Sequence, residues 1–147
     1  MTKILISIAN YYKDISDVML DTVISEITKN DMVYDLVKVP GAFELASSIN
    51  IALENYDYAG VVVLGCIIKG ETDHFTLISK ECSRAIQDIS IYYSVPLGFG
   101  VITANNMEQA IARSKKYGIK AVNTCLEMIK VKERFTSYGD GKVRRFN

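Results

Sequence analysis

Apolar residues recur along this chain with two periods, and the points where one period gives way to the other mark its elements. Ile4 to Ala9 (ILISIA) and Tyr58 to Ile68 (YAGVVVLGCII) are short, β-branched and almost free of polar residues, the pattern of strands buried on both faces of a parallel sheet. Val33 to Val39 (VYDLVKV) alternates only in part, which places it at a sheet edge, and Pro40-Gly41 ends it. Val95 to Thr103 (VPLGFGVIT) predicts a fourth strand, with Pro96 at its start, where a missing N–H is tolerated, and two glycines that thin one face.

Between these runs the spacing turns helical. Leu20, Val23, Ile24 and Ile27 predict a helix from near Asp14 to before Asn30. Leu45, Ile49, Ala52, Leu53 and Tyr56 predict a second, entered directly from Gly41 to Glu44, and Phe75, Ile78, Cys82, Ala85, Ile86 and Ile89 a third. After the fourth strand, Asn105 or Asn106 is expected to cap a short helix to about Lys116, with Gly118 as its stop. Val122, Cys125, Leu126 and Ile129 then resume the stripe to about Val131. Four strands alternating with helices, joined by right-handed crossovers, predict a three-layer α/β/α sandwich. The order 2-1-3-4, as in flavodoxin-like sheets, sets the two most apolar strands side by side. The reading is of one domain over residues 1–131 and a basic tail, mobile or docked, over 132–147.

Composition narrows the function classes. Seventeen basic and seventeen acidic side chains cancel over 147 residues, so no global field draws the chain to nucleic acid or to a membrane surface. The longest apolar run is well short of the ~20 residues that span a bilayer, and Met1 to Ala9 lacks the core and cleavage pattern of a signal peptide. Cys66, Cys82 and Cys125 are odd in number, far apart and set in apolar stretches. They read as reduced core residues of a cytoplasmic protein, with no zinc spacing and no metal site expected.

The chemistry gathers at Leu64 to Phe75 (LGCIIKGETDHF), where a buried strand ends, a glycine-flanked polar turn follows and a helix begins at the only histidine. Such a turn, at the carboxyl end of a strand in an open α/β sheet, is where ligands bind, and the helix's unpaired N–H groups favour phosphate or carboxylate. His74 brings an imidazole, a side chain suited to exchanging protons, against the bland reading of a structural histidine. Gly70-Glu71-Thr72 offers N–H groups and a hydroxyl, against Thr72 as an ordinary N-cap. Arg113, Lys115, Lys116 and Lys120 can neutralise a phosphate, against a solvated helix end. Tyr11, Phe43 and Phe99 can face a planar ring, against simple packing. Neither a Walker A loop nor GxGxxG occurs.

Three blocks together are more specific than any of these features. VPGAFEL (Val39 to Leu45), LGCIIKGETDHF, and PLGFGVIT followed by EQAIARS (Pro96 to Thr103, Glu108 to Ser114) closely resemble, in order and in register from about Ile4 to Val131, the signature blocks of the lumazine synthase family. The resemblance implies condensation of 5-amino-6-(D-ribitylamino)uracil with 3,4-dihydroxy-2-butanone 4-phosphate to 6,7-dimethyl-8-ribityllumazine, the penultimate step of riboflavin biosynthesis, with release of phosphate and water. It implies no cofactor. Tyr11 falls at the aromatic that stacks on the pyrimidinedione, and Ala42, Phe43, Glu44, Cys66, Ile67 and Ile68 at positions that bind ring and ribityl chain. Glu71 and Thr72 match the phosphate-binding turn, Arg113 the arginine that pairs with phosphate, and His74 the general acid/base. Phe99, from a neighbouring subunit, and Lys120 match further site residues. Lys69 stands where an arginine is usual, keeping the charge without the planar fork. Asn10 also replaces an arginine, Ala46 a proline, and Ala121 and Asn123 a glycine and an acidic residue.

The resemblance further implies a homo-oligomer, a ring of five or a higher assembly, with riboflavin synthase as a candidate partner. Neither nucleic acid nor membrane is an expected partner. Two other readings compete: a non-catalytic lumazine- or flavin-binding or shell-forming relative, and an RNA-binding protein. The last rests on Lys130 to Asn147, with six basic residues against two acidic, and lacks an aromatic platform.

Overall fold

The computed structural model describes residues 2–70 and 73–136. Four strands, β1 (Lys3–Ala9), β2 (Val33–Val39), β3 (Gly60–Ile68) and β4 (Leu97–Ala104), form one parallel sheet in the order β2-β1-β3-β4. Four helices cover it: α1 (Lys13–Lys29), α2 (Leu45–Asn55), α3 (His74–Tyr93) and α4 (Met107–Thr136). This is the three-layer sandwich and the strand order that the apolar periods predict. Because side chains alternate across a strand, each central strand feeds two cores. Ile4, Ile6, Ile8, Val62 and Leu64 pack beneath α1 and α4; Leu5, Ala9, Val61 and Val63 pack beneath α2 and α3.

β2 lies at an edge, as its partial alternation requires, and shows Val33, Tyr34 and Leu36 to solvent. A polar latch holds its middle. Tyr58 donates its hydroxyl hydrogen to Asp35 at 2.6 Å and Lys3 pairs with the same carboxylate at 3.0 Å. The Asp35 carboxyl is held below its usual range by the Tyr58 hydrogen bond and then by Lys3. Burial, followed by the Asp35 contact, pushes the phenol up to about 12.

The last helical segment departs from the sequence expectation at two places. Gly118 does not stop a helix: α4 runs unbroken from Met107 to Thr136. Ala110, Ser114, Gly118, Ala121, Val122 and Cys125 are all buried and fall on one continuous helical stripe. The small residues read as a gap in hydrophobicity, whereas they let α4 lie close to its neighbours. A Cβ on Gly118 would meet Val23 Cγ2 at 3.4 Å and the Met19 carbonyl at 3.5 Å, so the glycine sits where α1 and α4 approach. α4 also takes in residues 132–136, which the fading stripe assigns to the tail, and Lys132 Nζ donates to the Ser94 carbonyl at 2.9 Å. Residues 137–147 of that tail lie outside the described residues. At the other end of α4, Asn106 Oδ1 accepts the Gln109 N–H at 2.9 Å, the cap the sequence predicts.

On β4 the glycines have a stricter task. A Cβ on Gly98 would overlap the carbonyl of Ala121, and one on Gly100 would lie 2.9 Å from Leu64 Cδ2 and 3.0 Å from Ala121 Cβ. The two bare positions allow α4 to seat its backbone on β4. Gly98→Ala is therefore expected to destabilise the fold by about 3 kcal/mol, because backbone and not a movable side chain blocks the methyl. Gly118→Ala meets only ordinary contacts and is expected to stabilise by about 0.5–1 kcal/mol through helix propensity. Chemical denaturation of both variants checks the pair; a strongly destabilised Gly118→Ala would reinstate a helix break at that glycine.

Candidate active site

The chain leaves β1 toward the α1 face and β3 toward the α3 face, so a gap opens above their carboxyl ends. Three loops and one helix start line it. Tyr11 and Tyr12 follow β1, and Gly41 to Glu44 follow β2, with Ala42–Glu44 in a single 3-10 turn closed by the Glu44 N–H on the Gly41 carbonyl at 3.2 Å. Cys66, Ile67, Ile68 and Gly70 end β3, and His74, Phe75, Leu77 and Ile78 come from the first turns of α3. The cleft has a volume of about 700 Å³, within the range of small-molecule sites. Its walls are mostly aromatic and aliphatic, and His74 and Glu44 bring ionisable groups.

The first turn of α3 borders this space. Asp73, which precedes it, makes no capping hydrogen bond with its side chain. The Leu77 N–H donates to the Asp73 carbonyl at 3.2 Å. Helix geometry leaves first-turn N–H groups outside the i→i−4 ladder, the arrangement that receives anions. Glu71 and Thr72 lie outside the described residues.

Of the residues singled out from sequence, Tyr11, Ala42, Phe43, Glu44, Cys66, Ile67, Ile68 and His74 meet in this one cleft. Tyr11 and Phe43 present largely open rings, 75% and 61% exposed. Lys69 is exposed beside the cleft, and its N–H extends the β3–β4 ladder to the Ala104 carbonyl at 2.8 Å.

The others sit elsewhere on the same chain. Arg113 is half-buried, with Nη1 donating to the Thr103 carbonyl at 2.9 Å, at the carboxyl end of β4 and one strand away from the cleft wall. Phe99 projects from the edge strand β4 into a separate hollow with Leu97 and the α3 residues Lys80, Glu81, Arg84 and Gln87. Lys120 lines a shallow depression on the outer face of α4 with Asn123 and Glu127.

Tyr12, Gly41, Phe75, Leu77 and Ile78 line the cleft without having been singled out. Phe75 and Ile78 lie on the apolar stripe of α3 and read as core. Leu77 falls off that stripe and is 56% exposed, which is the signal that separates it from packing residues. Among the described residues no group of three or more His, Cys, Asp and Glu side chains converges as a metal site would require.

Comparison with known proteins bears on what binds in such a cleft. Residues 1–133 match the family model of 6,7-dimethyl-8-ribityllumazine synthase. The chain belongs to this family. It is 39% identical over 135 residues to the 6,7-dimethyl-8-ribityllumazine synthase of Rhodopseudomonas palustris, covering 86% of this chain and 83% of that protein. It is 40% identical over 143 residues to that of Paramagnetospirillum magneticum, covering 90% and 95%, and 39% identical over 138 residues to that of Bartonella henselae, covering 90% and 89%. The lumazine synthase blocks thus divide in space: the first two meet in the cleft, and the third supplies β4 and the start of α4.

Burial sets the state of the three cysteines. Desolvation pushes the Cys66 and Cys82 thiols up to about 11 and Cys125 up to about 12. All three are free. Near pH 8 the folded chain then holds roughly 100-fold less thiolate at Cys66 and Cys82 than an unperturbed cysteine would. Iodoacetamide is expected to label the native protein at least ~100-fold more slowly than the unfolded one, since the thiolate is the reacting form. Labelling followed by peptide mass spectrometry reads each site; rapid native labelling of Cys66 would show the cleft floor open to water and the thiol ionised.

Proposed function

We propose that this chain is a 6,7-dimethyl-8-ribityllumazine synthase, a transferase that condenses 5-amino-6-(D-ribitylamino)uracil with 3,4-dihydroxy-2-butanone 4-phosphate and releases phosphate and water. The observation that carries the reading is that two family motif blocks, separated in sequence, meet in a single cleft of suitable size at a helix N-terminus. The flat uracil substrate stacks on Tyr11, while Ala42 to Glu44 and Cys66 to Ile68 hold its ring and ribityl chain. The phosphate of the second substrate is bound by Glu71 and Thr72, which precede α3 in the chain, and by Arg113, whose fork pairs with phosphate oxygens at two points. His74, at the first position of α3, moves protons as the amine adds to the ketone, the imine forms and phosphate leaves. Lys69, exposed beside the cleft, adds positive charge near the anion, and Lys120, on the outer face of α4, adds it from a neighbouring copy.

Phe99 enters this scheme from another copy of the chain. It projects from the edge strand β4, in a hollow separate from the cleft that holds Tyr11, so one chain does not bring both rings to one small heterocycle. A heterologous contact that sets β4 of one copy beside the cleft of the next closes into a ring, and five copies form that ring in our reading. Cytoplasmic residence and, as a further partner, riboflavin synthase complete the proposal.

Incubation of purified protein with both substrates is expected to yield lumazine absorbance and fluorescence. Binding of lumazine without turnover would identify a non-catalytic relative instead. Arg113→Ala is expected to raise KM for the phosphorylated substrate by at least about 10-fold, with a much smaller change for the uracil substrate, because the lost contact serves only one of the two. His74→Ala is expected to lower turnover by roughly 10- to 1000-fold without abolishing it, the usual range for lost acid/base help in a reaction that also proceeds unaided. Steady-state kinetics with each substrate varied in turn decides both; equal rises in the two KM values, or an unchanged turnover from His74→Ala, would remove those assignments.

A further inference from the structure

Tyr11 carries its ring almost free of the protein, 75% exposed. Among the described residues its one ring contact is with Tyr12, centroids 4.9 Å apart and planes at 81°. Such a side chain has no wall of its own to select its orientation. Tyr12, in contrast, is fixed on several sides. It is the N-cap residue immediately before α1, and its carbonyl accepts the N–H groups of Ile15 at 3.1 Å and Ser16 at 3.0 Å. Its ring is half-buried against the core beneath α1 and α4, and it lines the cleft together with Cys66.

We infer that Tyr12 is a positioning residue for the flat substrate: its ring, anchored by α1 and the core, sets the plane of Tyr11 and thereby the face on which the pyrimidinedione stacks. The inference rests on the reading that Tyr11 is the stacking ring. An edge-to-face pair favours this near-perpendicular geometry over others by an amount worth about 2- to 10-fold in an equilibrium. The effect belongs to the ring, and the phenol is dispensable. Burial, and after it the proximity of Tyr11 and Cys66, raises the Tyr12 hydroxyl above its ordinary range, so it stays neutral and moves no proton near neutral pH. Since Tyr11 serves only the uracil substrate in this reading, Tyr12 acts on that substrate's KM and leaves the phosphorylated substrate and turnover alone.

The test is a double-mutant cycle in the intact enzyme, with Tyr12→Leu, Tyr12→Phe and Tyr11→Leu, following KM for each substrate and kcat. Tyr12→Leu is expected to raise KM for the ribitylaminouracil about 2- to 10-fold with kcat and the other KM unchanged, and Tyr12→Phe to behave as the unaltered chain. In the Tyr11→Leu background Tyr12→Leu should add nothing. Should Tyr12→Leu fail to fold, Tyr12→Met fills the gap without a ring and takes its place. An undiminished effect in the Tyr11→Leu background, or none in the unaltered chain while Tyr11→Leu does raise KM, overturns the positioning role and spares the stacking assignment. No change from Tyr11→Leu itself overturns the stacking assignment and this inference with it.

Discussion

Two adjacent parallel strands whose chains depart toward opposite faces of a sheet leave an opening above their carboxyl ends that neither crossover can fill. In this protein those strands are β1 and β3, and nearly everything said about the site depends on that divergence. Tyr11 and Tyr12 follow one strand; Cys66 to Gly70 finish the other; α3 begins at the rim with His74. The register Ile8↔Leu64 fixes where the two ends stand relative to each other. A slip of one residue would turn every side chain of a strand to the wrong face, and both cores, beneath α1/α4 and beneath α2/α3, resist it. The cleft is thus held open in large part by core residues such as Ile6, Val62 and Val63 that do not line it.

The same logic extends to the far edge of the sheet. β4 carries Phe99, and its position depends on how closely α4 can approach. Gly98 and Gly100 remove the side chains that would hold the helix away, and Ala121 supplies the backbone and methyl that fill the space. Arg113 is tied to the same unit through the Thr103 carbonyl. In the proposed ring, β4 and α4 therefore move as one body that offers an aromatic ring, and stability of this packing bears on activity as well as on folding.

Much of this could be read in the chain itself, for identifiable reasons. Strands buried on both faces are continuous apolar runs, so β1 and β3 stood out, and the weaker alternation of β2 marked an edge. What could not be read depends on tertiary contact. Gly118 has the look of a helix end and becomes a helix interior because α1 needs the room. Ser94 ends α3 in the left-handed region at φ 50°, a place where glycine would have signalled the turn. For the site, long motifs gave the cleft residues together, whereas Tyr12 and Leu77 were hidden, one behind its more exposed neighbour and the other within a helix whose stripe it leaves. The strand order read from the sequence already set Phe99, on the far edge strand, apart from Tyr11, and the two line separate hollows of one chain.

The central claim is that the cleft of one copy is completed by β4 of the next, and mixed oligomers test it most directly. Phe99→Ala and His74→Ala chains would be co-expressed in equal amounts, purified as one assembly, and assayed for lumazine formation against each variant alone. If every site draws His74 from one chain and Phe99 from its neighbour, random mixing leaves about a quarter of sites with both residues intact, and activity rises well above either parent. Activity of the mixed assembly equal to the mean of the two parents would mean that each chain holds a complete site, and the shared cleft would have to be abandoned.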